Sequence, residues 1–136
     1  VTLFAALPAS AAAEPAVHTK DEPTVCTATP NNPHRSGGAG DGRVIFKTRV
    51  ICNKTATVKI QGVLLYAPTA DGKPTPVTSS EETRTIQANK AATFYTPDRN
   101  DRQVKESGYY QGLSVGQIIN PQGTIGKNVT TLVRIG

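Results

Sequence analysis

The sequence predicts an all-β fold: a single antiparallel β-sandwich of about six or seven short strands with one disulfide. Three observations predict it. Val44, Phe46, Thr48, Val50 and Cys52 alternate with Arg43, Ile45, Lys47, Arg49 and Ile51, the period of a strand. Turn-forming residues recur at short spacing, and no amphipathic stretch of useful helical length follows residue 13. Two cysteines, Cys26 and Cys52, make a single candidate bridge.

Length and composition bound the rest. A chain of 136 residues holds one ordinary core. Apolar residues are 37% and aromatics 5%, so Val, Ile, Leu and Ala must build that core. No apolar run reaches the roughly 18–20 residues of a membrane-spanning helix. A coiled coil and a multidomain enzyme are excluded as well. Fifteen Lys and Arg against ten Asp and Glu leave a net charge of +5. That excess is spread along the chain, which favours loose attraction to anionic surfaces over nucleic-acid binding.

The elements follow in order. Residues 1–13, VTLFAALPASAAA, read as a partial signal peptide, with Pro8 before two cleavage frames, Ala9-Ser10-Ala11 and Ala11-Ala12-Ala13, which places the protein outside the cell. Residues 14–23 are polar and bracketed by prolines, an extended N-terminal arm carrying His18 and Lys20 as candidate contacts. Residues 24–136 form the sandwich. In an exported chain Cys26 and Cys52 pair, and closing a ring of about 27 residues contributes roughly 3–4 kcal/mol in the chain-entropy model. They are too far apart for a C-x-x-C motif, and two thiolates are half a zinc site.

Residues 30–42, PNNPHRSGGAGDG, have loop composition. The strand at 44–52 and a second at 58–66 are expected to form a hairpin through Asn53-Lys54-Thr55, with Cys52 facing Ala56, Val50 facing Val58 and Thr48 facing Ile60. Residues 67–82 read as a polar connection. Short strands at 83–88 and 91–96 flank a turn at Asn89-Lys90, and 97–108 is a loop or one helical turn. A last hairpin joins 109–119 to 124–135 through Asn120-Pro121-Gln122-Gly123, whose proline suits a type I turn.

The chemical motifs are incomplete. Gly112-Leu113-Ser114-Val115-Gly116 matches a nucleophile elbow, but no His, Asp or Glu follows Glu106 to complete a triad. His18 and His34 have no metal-ligand spacing, although His34 and Asp41 share one loop. Adjacent Glu81 and Glu82 point to opposite faces of a strand, while Asp71 and Asp98 are dispersed loop carboxylates. The run Gly37–Gly42 lacks a phosphate loop's Lys-Ser/Thr ending. Asn53-Lys54-Thr55 and Asn128-Val129-Thr130 fit the glycosylation sequon. No cofactor and no metal site are expected.

The expected hairpin sets Arg49 opposite Lys59 and Lys47 opposite Gln61. Opposed like charges cost stability, so Lys47, Arg49 and Lys59 are read as a basic face for an acidic partner. Leu113, Val115 and Ile119 share one face of their strand, while Ile118, Ile125, Val129 and Val133 are placed on the other. Apolar residues on both sides suggest a central strand or a surface that a second chain covers. Three further classes stay open: a protease inhibitor using Arg35-Ser36 as bait, a small-molecule or glycan carrier, for which aromatics are few, and an enzyme with dispersed loop residues.

The order of an ASAAA export end, a polar arm, Cys26 and then RVICNKTATVKIQGVLLY resembles small secreted β-sandwich proteins of actinobacteria. Among them it is similar to the adaptor subunits of umbrella toxin particles across roughly residues 14–136. That resemblance implies an immunoglobulin-like domain without catalytic residues, whose arm and sheet edges meet other subunits. The sequence thus points to a secreted, non-enzymatic protein-interaction module whose partner is another secreted protein.

Overall fold

The computed structural model describes residues 22–37, 41–98 and 101–136. These residues form nine strands: β1 (Cys26–Pro30), β2 (His34–Arg35), β3 (Val44–Cys52), β4 (Ala56–Ala67), β5 (Thr75–Ile86), β6 (Ala92–Thr96), β7 (Gly108–Asn120), β8 (Gly123–Val129) and β9 (Val133–Ile135). No helix long and apolar enough to cross a membrane occurs among them. Residues 1–13, read as a signal peptide, and most of 14–23, read as an arm with His18 and Lys20, lie outside the described residues.

The strands make two antiparallel sheets. The larger runs β5–β4–β7, with β8 and β9 both on the far side of β7; the smaller has β3 at its centre, between β6 and the β1–β2 edge. Residues along β3 alternate between buried and more exposed from Phe46 onward, as do those of β4 and β7 along most of their length, so the sheets pack through one face each.

The expected first hairpin does not exist. β3 and β4 lie in different sheets, so Cys52 pairs with Cys26, Val50 with Ala28 and Ala92, and Thr48 with Pro30 and Phe94. Four backbone steps from Cys52 to Ala56 reach about 13 Å, enough to bridge sheets about 10 Å apart. Crossing over lets two half-apolar strands bury their apolar faces against each other. The second expected hairpin fails the same way, because β5 pairs with β4 and β6 with β3. β5 also begins at Thr75, within the stretch read as a connection. The third hairpin is present as β7–β8. Its register sets Pro121 third in the turn, after a cis Asn120–Pro121 bond, in place of the type I turn. Residues 101–107 hold no helical turn, and from them Val104 inserts into the core, 3% exposed.

Two edge strands are interrupted and repaired alike. Between β1 and β2, Asn31 donates its amide to the Lys47 carbonyl at 2.8 Å and its side-chain oxygen accepts the Lys47 amide at 2.7 Å. Between β8 and β9, Thr130 donates its amide to the Gly112 carbonyl and its hydroxyl oxygen accepts the Gly112 amide, both at 2.8 Å. With β1–β2 and β8–β9 each read as one broken strand, the nine strands become seven lines.

That order matches the Greek-key sandwich of immunoglobulin-like domains, and a second feature agrees with it. Near the start of β7 the Tyr110 hydroxyl donates to the Glu106 carbonyl at 2.6 Å, the tyrosine corner of such sandwiches. Two residues on, where antibody domains carry the second cysteine of their inter-sheet bridge, stands Gly112. A Cβ there would lie 3.0 Å from the Phe46 ring, so Phe46 fills the space a bridge would take. The disulfide instead joins neighbouring strands, Cys26 on β1 to Cys52 on β3, with Cα atoms 4.0 Å apart.

The core has two halves. One contains the disulfide with Val50, Val58, Ile60, Phe94 and Ile118; the other contains Val44, Phe46, Leu64, Val104 and Tyr110. Hydroxyl residues lie between the halves along the strands: Thr48 between Phe46 and Val50, Ser114 between Tyr110 and Ile118, and Thr96 beside Phe46. Thr96 and Ser80 bond to each other at 2.8 Å, whereas the buried Thr48 and Ser114 hydroxyls have no partner among the described residues. Gly62 belongs to this layer, because a Cβ there would collide with the Thr96 hydroxyl.

Candidate functional site

The crossover between β3 and β4 divides the expected basic face. Lys47 and Arg49 project from the outer face of the smaller sheet, where Arg49 stands between Thr29 and Thr93. Lys59 projects from the outer face of the larger sheet, between Thr83 and Gln117, and pairs with Glu81 at 3.6 Å. The three cations lie on opposite sides of the molecule, and Arg49 never opposes Lys59.

The outer face of the larger sheet carries an apolar block. Val63, Leu113 and Val129 stand in one row across β4, β7 and β8, with Leu65 and Val115 in the flanking rows. Val115, Ile119 and Val129 are 37%, 42% and 52% exposed. Val129 was expected on the opposite face from Leu113. A register shift at Gly116/Gln117 opposite Gly126, whose φ is 107°, turns the end of β8 over, while Ile125 still packs on the core. Around the block stand Gln61, Gln111, Gln117, Lys59 and Lys127.

The outer face of the smaller sheet is concave. A groove of about 830 Å³ has Ile45, Lys47, Thr93 and Tyr95 as its floor. His34, Ser36, Gly37, Asp41 and Arg43 form one wall, and Glu82, Arg84, Pro97 and Asp98 the other. The Lys47 ammonium lies 5.7 Å from the centroid of the Tyr95 ring, which is 45% exposed. Arg84 binds Glu82 at 2.9 Å, stacks 4.0 Å over Phe94 and donates to the Thr93 carbonyl. His34 donates Nδ1–H to the Asn32 carbonyl at 3.1 Å. His34 and Asp41 do therefore share a site. The sequence reading does not single out Tyr95 and Arg84, and it weighs Glu82 only as one of two adjacent carboxylates; the alternation of Ala92–Thr96 already sets Thr93 and Tyr95 on one face.

Other candidates have structural roles. Arg35 donates to the main-chain oxygens of Gly136 at 3.1 and 2.8 Å, of Lys105 at 3.1 Å and of Gly42 at 2.5 Å. A bait arginine must project into a protease pocket, and this one clasps three chain segments; Ser36 beside it lines the groove. Ser114 of the elbow motif is 1% exposed on the inner face. Asn53 uses both side-chain atoms to hold the chain ahead of β1, accepting from the Val25 amide at 2.8 Å and donating to the Pro23 carbonyl at 3.0 Å. Burial raises the Asp101 carboxyl above its ordinary range, and neighbouring Asp98 adds to the effect. No group of three or more His, Cys, Asp or Glu able to hold a metal occurs among the described residues.

No family model and no curated protein match the chain. Among solved structures, the crystal structure of Bifidobacterium adolescentis GH3 beta-glucosidase is similar, with a TM-score of 0.41 and 13% identity. The match covers 79% of this chain and 17% of that one. A likeness so slight has no bearing on activity.

Proposed function

We propose that this chain is a secreted, non-enzymatic module that binds another extracellular protein through the outer face of its larger sheet. The observation that carries the reading is the block of Val63, Leu65, Leu113, Val115 and Val129, which no element among the described residues covers and which polar side chains rim. An apolar centre within a polar rim is the anatomy of a protein interface. Lys127 stands opposite Val115 with no acid across the strand, and the chain carries +5 overall, so the partner is acidic around an apolar centre.

The edges favour the face over strand addition. β5 turns Glu82 and Arg84 toward the seam between the sheets, β1–β2 carries Pro30 and Pro33, and β8 has a bulge and Lys127. Each device discourages pairing with a foreign strand. A disulfide-bonded sandwich suits export, and the resemblance to toxin-particle adaptors gives the module a place between two other subunits.

The test is capture from the native culture medium with mass spectrometry, comparing the intact chain with V115R/V129R and with K47E/R49E. A stoichiometric acidic partner lost in V115R/V129R and kept in K47E/R49E is expected. Both pairs are surface changes, so stability should stay within about 0.5 kcal/mol of the parent for each site. Capture that survives V115R/V129R, or no partner at all, would overturn the reading.

A further inference from the structure

We propose that the groove on the outer face of the smaller sheet is a binding site for a neutral oligosaccharide. It lies on the opposite side from the apolar block and does not depend on the protein-binding reading.

The size and lining of the groove carry the inference together. At about 830 Å³ it falls within the range of roughly 300–1,000 Å³ that small-ligand clefts occupy. Such clefts are mostly apolar, whereas this one is mostly polar, so an apolar ligand would strand its side chains without water. Its charges balance: Arg43, Lys47 and Arg84 against Asp41, Glu82 and Asp98. An anionic ligand such as a nucleotide would meet as many repulsive as attractive groups. A neutral polyol suits the set, because each sugar hydroxyl both donates and accepts. Lys47 supplies donors and Glu82 acceptors: Arg84 reaches both Glu82 oxygens, at 2.9 and 3.4 Å, and each oxygen keeps a lone pair for a hydroxyl.

Tyr95 gives the site its orientation. Its ring is 45% exposed on the groove floor. An aromatic side chain combines a broad apolar body with a polar tip, which matches a sugar ring's C–H face and its hydroxyl edge. With Tyr95 as the platform and Lys47, Glu82 and His34 around it, the groove orders a short run of sugar units along β3 and β6. Arg49, outside the groove, stays free to extend the contact.

Calorimetric titration with cellopentaose, maltopentaose, laminaripentaose and chitopentaose tests this, with a heparin octasaccharide as an anionic control. At least one neutral pentasaccharide should bind. Y95A should weaken that binding about tenfold, which corresponds to about 1.4 kcal/mol. Y95F should stay close to the parent, because the ring is kept, and E82Q should weaken binding by losing a strong acceptor. V115R/V129R should bind saccharide like the parent, which separates failure here from failure of the protein-binding reading. Binding of heparin alone, no binding of any neutral probe, or equal binding by Y95A would overturn the proposal.

Discussion

The two halves of the core are held by different devices. Around Cys26 and Cys52 the packing is largely aliphatic, and a covalent bond ties two neighbouring strands that already share a hydrogen-bond ladder. At the other half no covalent bond crosses. Phe46 fills the space over Gly112, and Tyr110 and Tyr66 pack with ring centroids 5.0 Å apart. Their hydroxyls close the loop before β7, Tyr110 on Glu106 at 2.6 Å and Tyr66 on Ser107 at 3.0 Å. Arg35 adds its clasp on Gly42, Lys105 and Gly136. In the chain-entropy model the bond acts on the unfolded chain, whereas the aromatic contacts act in the folded state.

The sharpest way to break this contrast is Phe46→Ala. Removing a fully buried ring between the sheets should cost about 3–5 kcal/mol, read as a fall in urea midpoint. A loss below the disulfide's contribution would mean that the aromatic half collapses around the gap. Replacing Cys26 and Cys52 together by Ala should cost roughly 3–4 kcal/mol if the bond acts on the unfolded chain. In that case the loss should appear mainly in the folding rate or denatured-state compactness, with the β7 end unchanged by hydrogen exchange.

Tyr110→Phe comes next, at about 1 kcal/mol for one buried hydrogen bond. It also has a pH signature. Burial, followed by the charges of Glu106 and Tyr66 and opposed by Arg35, raises the Tyr110 hydroxyl from 10.0 to about 12. The folded chain keeps that proton where the unfolded chain loses it. The contribution is therefore complete below pH about 10 and is lost as pH rises toward about 12. Stability of the parent should fall across that window more steeply than that of Tyr110→Phe; parallel curves would show the hydroxyl to be solvated.

The smallest effect is expected at the boundary. Thr48→Val removes a buried hydroxyl that has no partner among the described residues and keeps the shape, so stability should be unchanged or higher by about 1 kcal/mol. A clear loss would show that Thr48 is bonded through the layer it shares with Ser114.

How much of this was legible follows the same division. The alternation at Val44–Cys52 and the pair of cysteines identified the strand and the bond, because periodicity and an even thiol count are local signals. The aromatic half was silent, since Phe46 facing Gly112 and Tyr110 reaching Glu106 require knowing which strands lie above one another. The reading that placed Arg49 opposite Lys59 failed at that point: a three-residue turn fits a hairpin and a crossover equally, and only the burial of both inner faces decides between them. Thr75–Glu82 escaped notice because an edge strand is exposed on most sides and shows little alternation. Tyr95 was legible in its alternation, but its groove is made by β2, β5 and the residues around Arg43, which no local pattern joins.

The bond between β1 and β3 also sets how the domain bears tension. A pull applied at residue 22 passes along the chain to Cys26 and, through sulfur, directly into Cys52 at the end of the central strand of the smaller sheet. β1 cannot be peeled away from its first residue, because its ladder with β3 begins at the bridged pair itself. A pull applied at residue 136 would meet no such bond: it loads directly the short ladder of β9 on β7 and the contact of the Gly136 oxygen with Arg35.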